Sequence, residues 1–153
     1  MVKEGDEAPG FELARDGGGH VKLRDFRGRP VAVYFYPKDD TSGCTQQAVD
    51  FSESIAAFRA LGAGVIGISP DSVRKHDKFR DKHGLSIILA ADPEKEAIMA
   101  YDVWAEKKLY GRAYMGVDRS TFLVDANGRI ARVWRGVKIP GHVAEVLAAI
   151  RAL

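Results

Sequence analysis

The stretch Val31–Ile68, VAVYFYPKDDTSGCTQQAVDFSESIAAFRALGAGVIGI, decides the architecture. Its first six residues, Val31–Tyr36, are β-branched or aromatic and apolar throughout. Such a run suits a central strand buried on both faces. The polar stretch Pro37–Gly43 cannot continue that strand and reads as a loop. From Cys44 onward the period changes. Ala48, Phe51, Ile55, Phe58 and Leu61 recur at steps of three and four and form one apolar stripe, as on a single amphipathic helix. Gly62 and Gly64 end it, and Val65–Ile68 is a second buried strand. Strand, helix and strand in this order imply parallel pairing through a right-handed crossover.

Working outward, Phe11–Leu13 and His20–Leu23 flank Asp16-Gly17-Gly18-Gly19 and read as a short hairpin. Downstream, a helix is expected from Ser72 to His83, closed by Gly84, followed by a short strand at Ile87–Leu89. Asp92-Pro93 resembles a helix cap with proline at the first helical position, opening a helix toward Tyr101. Asp102–Asp118 has no clear period and reads as a long loop. Ser120–Val124 and Arg129–Trp134 flank the turn Asp125-Ala126-Asn127-Gly128, and Val143, Val146, Leu147 and Ile150 line one face of a last helix. A parallel βαβ unit, a late antiparallel hairpin and a closing helix fit an α/β thioredoxin-like sandwich with an N-terminal β-hairpin extension. A doubly wound flavodoxin-like sheet is the alternative, and the late hairpin argues against it.

Composition narrows the function. The 153 residues suit one domain spanning 1–153, with 46% apolar and 29% charged residues. A net charge of +2 with scattered Lys and Arg points away from a nucleic-acid partner. Neither a signal segment nor a membrane span is read in the sequence, so a cytoplasmic location is expected. There is one cysteine, Cys44. An internal disulfide is therefore impossible, and a reducing compartment fits.

Cys44 stands at the start of the long helix. Helix N-termini carry partial positive charge and free N–H donors. Both favour thiolate, the nucleophilic form. Position alone leaves a reactive thiol and an inert one both open. The neighbours add the pattern Pro37-x-x-x-Thr41-x-x-Cys44, within Tyr36-Pro37-Lys38-Asp39-Asp40-Thr41-Ser42-Gly43-Cys44-Thr45-Gln46-Gln47-Ala48. Here the chain resembles the peroxiredoxins, and within them the Q-type subfamily, also called bacterioferritin comigratory protein. The likeness extends from Gly5-Asp6-x-Ala8-Pro9 and Leu23-x-Asp25-Phe26-x-Gly28 to Val65–Ser69, Tyr101–Trp104, Glu106-Lys107 and Arg119–Asp125.

The resemblance implies a thiol-dependent peroxidase that needs no cofactor or metal. Cys44 would attack a hydroperoxide and become a sulfenic acid. Thr41 would hydrogen-bond the sulfur or the peroxide, or cap the helix. Pro37 would shield the pocket, Arg119 would stabilise the thiolate and polarise the peroxide, and Gln47 would support the site. Ser42 stands where many members have proline.

The positions of the family's second, resolving cysteine are occupied by Val49 and by Phe79-Arg80. The chain thus resembles a one-cysteine form whose sulfenic acid is resolved by an external thiol, whether thioredoxin, glutaredoxin or a small thiol. A monomer or weak dimer is expected.

Two other readings compete: a redox switch at Cys44 without efficient turnover, and a binding module with an inert cysteine. His76 and His83, seven apart on one expected helix, lack the neighbours a metal site needs. Lys107-Lys108 with Arg112 reads as solvated surface. Trp104, Tyr110 and Tyr114 could form a rim near the site, a docking surface or core anchors.

Overall fold

The computed structural model describes the whole chain, Met1–Leu153. The N-terminal hairpin forms as expected, with β1 Glu12–Ala14 antiparallel to β2 His20–Lys22, and a short 3-10 turn Leu23–Phe26 follows it. The remaining elements are β3 Val31–Phe35, α1 Ser42–Glu53, α2 Ile55–Ala60, β4 Gly64–Ser69, α3 Val73–His83, β5 Ile88–Ala91, α4 Glu96–Ala100, β6 Trp104–Leu109, β7 Arg112–Val117, β8 Ser120–Val124, β9 Ile130–Trp134 and α5 His142–Arg151.

The central sheet has five strands in the order β5-β4-β3-β8-β9. Strands β3, β4 and β5 run parallel, while β8 lies antiparallel to β3 and β9 antiparallel to β8. This mixed order excludes the all-parallel alternative and is the thioredoxin-like arrangement.

Alternation along β3 sorts two cores, because successive side chains point to opposite faces. Val31, Val33 and Phe35 join Ile66, Ile68, Phe122, Ile98 and Tyr101 on one face. Ala32, Tyr34 and Tyr36 join Phe51, Phe58, Phe79, Val146 and Cys44 on the other. Cys44 is therefore rooted in the core that α1, α3 and α5 cover.

Three expectations are corrected. The single long helix is two, α1 and α2, broken at Ser54, whose backbone (φ −96°, ψ 6°) leaves helical geometry. The Ser54 backbone closes the end of α1, its N–H donating to the Phe51 carbonyl at 3.2 Å, while its own carbonyl accepts from Ala57 N–H at 3.0 Å to open α2. The apolar stripe survives this break, since Phe51 and Phe58 both stay buried with ring centroids 5.8 Å apart. The helix after Asp92 starts later than its cap-like sequence suggests. Asp92 accepts from Glu96 N–H at 2.8 Å and Ile98 N–H at 2.9 Å, so it caps from a distance across a turn at Pro93-Glu94. Finally, Asp102–Asp118 is no loop: β6 and β7 form a hairpin turning at Tyr110 (φ +51°) and Gly111 (φ +77°). Both φ values are positive, as in the type I′ two-residue hairpin turn. Tyrosine in the first turn position hid that signal, and so did strands exposed on both faces toward their tips.

Candidate active site

The end of β3 delivers the chain to the site. Tyr36 is buried and Pro37 half-buried at the strand's edge, and the backbone then turns into α1. Thr41 is the N-cap of α1, with extended backbone angles, and its carbonyl accepts from Thr45 N–H at 2.8 Å. Cys44 is the third residue of the helix, within the turn whose N–H groups lack intrahelical partners. The residue is only 2% exposed.

Arg119, just before β8, reaches over this turn. Its Nη2 lies 3.3 Å from Cys44 Sγ, and its Nη1 donates to Gln47 Oε1 at 2.6 Å. Gln47 sits one helical turn beyond Cys44 and is 1% exposed, so a buried amide fixes the guanidinium. Gly43 provides clearance: a Cβ there would lie 3.4 Å from Arg119 Nη2 and 3.2 Å from Ile139 Cδ1. Residues distant in sequence, Cys44, Gln47 and Arg119, thus meet as one hydrogen-bonded unit.

Thr41 and Pro37 are placed differently. The Thr41 hydroxyl makes no capping bond and donates to the Lys38 carbonyl at 3.0 Å. It therefore shapes the loop rather than closing the helix. Pro37 lies on the same loop, at its strand end. Neither makes a hydrogen bond to the sulfur.

Sequence reading missed three neighbours of this unit. Tyr34 lies under it: burial raises its phenol well above the ordinary value, and the charges of Cys44 and Asp39 add to that. Its ring fits because the facing residue on β4 is Gly67, where a Cβ would meet Tyr34 Cζ at 2.7 Å. Lys107, on the hairpin, is half-buried with its stem beside Gly116. Burial pulls its ammonium below the ordinary lysine value; Asp118 opposes this, Arg119 adds to it and Cys44 opposes it. Lys107, read from the sequence as solvated surface, is thus half-buried with its stem against the partner strand. His142 is 4% exposed, its Nε2 is 2.8 Å from Thr121 Oγ1, and burial lowers its value. Only the glycine opposite Tyr34 left a trace in sequence, as the small residue in an otherwise bulky strand.

No group of three or more His, Cys, Asp or Glu side chains converges as a metal site. His76 and His83 turn instead toward Asp39 and Asp40. No helix is long and apolar enough to cross a membrane.

The family model described as AhpC/TSA matches residues 4–133. Peroxiredoxin Bcp of Bacillus subtilis is 48% identical over 150 residues, covering 98% of this chain and 96% of that protein. The bacterioferritin comigratory protein of Xanthomonas campestris, studied for its alkyl peroxide reduction, superposes with a TM-score of 0.88 at 40% identity, over 93% of this chain and 90% of that one. A cysteine-to-serine variant of PrxQ from Xylella fastidiosa gives a TM-score of 0.93 at 35% identity over 99% and 97%. With the sulfur, the arginine and the sheet order in place, the chain belongs to the AhpC/TSA family, as a thiol-dependent peroxidase of the Q-type peroxiredoxins with a single cysteine.

Proposed function

We propose that Cys44 reduces hydroperoxides through a sulfenic acid that an external thiol resolves. The observation that carries this reading is the 3.3 Å approach of Arg119 Nη2 to the only sulfhydryl in the chain. The Cys44 thiolate attacks the terminal oxygen of R–O–OH. An S–O bond forms and the O–O bond breaks, so sulfur is oxidised by two electrons and the peroxide is reduced. The products are Cys44–SOH and an alkoxide, which takes a proton from solvent and leaves as the alcohol. Arg119 stabilises the anionic sulfur and the charge growing on the leaving oxygen, where a fixed, desolvated donor contributes most. Gln47 keeps the guanidinium aimed. Thr41 and Pro37 shape the mouth of the site, and the Thr41 hydroxyl is free to exchange the Lys38 carbonyl for the peroxide.

Resolution needs a second thiol, and none exists in the chain. An incoming R′–SH condenses with Cys44–SOH to a mixed disulfide and water; a second R′–SH then releases Cys44–SH and R′–S–S–R′. Because Cys44 is 2% exposed, the first turn of α1 opens to admit that thiol. A single-thiol composition suits the reducing cytoplasm. A monomer carries every group the scheme uses.

The test is a mass measurement followed by turnover. One equivalent of peroxide should add one oxygen to the monomer and label with a sulfenic-acid trap. Excess small thiol should then support repeated peroxide consumption, abolished in Cys44→Ser. An oxidised form that is a Cys44–Cys44 disulfide dimer recycling at the catalytic rate would overturn the scheme.

A further inference from the structure

The loop between β3 and α1 is fastened to α3 at two consecutive residues. Asp39, 9% exposed, uses both carboxylate oxygens: Oδ1 accepts from the Tyr36 hydroxyl at 2.6 Å and Oδ2 faces His76 Nδ1 at 2.6 Å. His76 is 0% exposed, and its other nitrogen, Nε2, faces the Ala90 carbonyl at 3.0 Å. The ring is thus clamped between the Asp39 carboxyl on the loop and the Ala90 carbonyl on β5. Burial raises the Tyr36 phenol well above its ordinary value, which keeps it a donor. The Asp39 N–H donates to Asp71 Oδ2 at 2.8 Å, and the Ser69 hydroxyl donates to that same oxygen at 2.7 Å. One residue further, Asp40 adopts φ +61° and receives Lys82 Nζ at 2.7 Å and His83 Nε2 at 2.9 Å.

A buried hydrogen-bonded acid–base pair contributes little net stability compared with an apolar replacement, although removing one partner is costly. What it does contribute is a fixed geometry. The chain leaves β3 at Tyr36 and must place Thr41 and Cys44 a few residues later, through a left-handed Asp40. The Asp39 carboxyl and N–H are committed to Tyr36 at the end of β3, to His76 on α3 and to Asp71 between β4 and α3, so three segments hold this point of the loop. The α3 face that carries the resolving region in the resemblance drawn above, Phe79-Arg80, serves here as a strut.

We propose that His76, acting through Asp39, is a positioning residue for Cys44 and Thr41, holding the loop where an incoming peroxide meets the sulfur in line. This rests on Cys44 being the peroxide-attacking group. Displacement of a reacting group by about 1 Å costs on the order of 100-fold in rate.

Two rates at Cys44 test it: oxidation by hydrogen peroxide, and alkylation by iodoacetamide. Alkylation needs only an accessible thiolate, whereas peroxide reduction needs oriented donors. Their ratio therefore cancels changes in thiolate population and exposure that a merely structural role would cause. His76→Gln should lower the peroxide-to-alkylation ratio about 10- to 100-fold. Tyr36→Phe, which deletes one hydroxyl and keeps the ring, should lower it less but in the same sense, and it decides the matter if His76→Gln does not fold. Ile98→Val, in the core on the opposite face of the sheet, should leave the ratio unchanged. A ratio that stays constant or rises in the loop variants overturns the inference. Failure of peroxide to oxidise Cys44 in the unsubstituted protein would instead overturn the reading on which it rests.

Discussion

Arg119 binds Cys44 and Gln47 through different nitrogens of one planar guanidinium, with Nη2 3.3 Å from the sulfur and Nη1 2.6 Å from the amide oxygen. In the proposed mechanism this fork is what arginine contributes. A lysine ammonium is a point charge on a flexible stem and cannot span both partners in a fixed plane. Arg119→Lys is therefore expected to slow peroxide oxidation of Cys44 by about 100- to 1000-fold, the usual cost of a lost transition-state donor. Stopped-flow oxidation, with the circular dichroism spectrum unchanged, measures this. Near-full reactivity in Arg119→Lys would show that charge alone suffices.

Gln47 tests the aim of the fork without removing it. Gln47→Leu keeps the volume in a buried position and deletes the acceptor for Nη1. A hydrogen bond to a charged group contributes about 1.5–3 kcal/mol, so a loss of about 10- to 100-fold in oxidation rate is expected if the whole bond serves orientation. Its buried Nε2 has no partner, so the leucine leaves no donor newly orphaned on that side. A Gln47→Leu protein as fast as the parent would show that Arg119 is held by its own packing.

His142 links stability to pH. Burial lowers its folded-state value, with Arg119 adding to the effect and Glu145 opposing it. Its ring packs edge-on against Trp134 and Phe51. A histidine depressed in the folded state binds protons more readily when unfolded. Its contribution is complete above the unfolded value of about 6.5 and is lost as pH falls through that value toward the folded one. Denaturation midpoints between about pH 7.5 and pH 5 should fall more steeply for the parent than for His142→Gln. Parallel curves would exclude the linkage.

Gly67 carries a steric prediction. It faces Tyr34 across the β3–β4 ladder, and a methyl group would stand 2.7 Å from Tyr34 Cζ and 2.8 Å from its oxygen. The tyrosine has no room to retreat, since its ring stacks on Phe51 at 4.7 Å. Gly67→Ala should cost about 1–3 kcal/mol, the range for an overfilled core, seen as a lower melting temperature. Tyr34→Phe should not rescue it, because Cζ remains in place.

The sequence by itself determined the order of elements wherever one face or both are buried. Val31–Tyr36 and Val65–Ile68 read as central strands because burial on both sides demands unbroken apolar runs. The Asp125–Gly128 turn separated a mixed sheet from a parallel one. It also marked Cys44, Thr41, Pro37, Arg119 and Gln47, through a motif and a resemblance rather than through geometry. Only the tertiary structure decided what depends on contacts between distant segments. The β6–β7 hairpin was hidden because strands exposed on both faces need no alternation. The break at Ser54 was hidden because both halves of the helix keep their stripe on the sheet. Arg119 reaching Cys44 across 75 residues of chain and Asp39 held against His76 are consequences of packing β8 and α3 around one helix N-terminus. A charged side chain looks alike in sequence whether water or a buried partner satisfies it, and that difference exists only once the fold has removed the water.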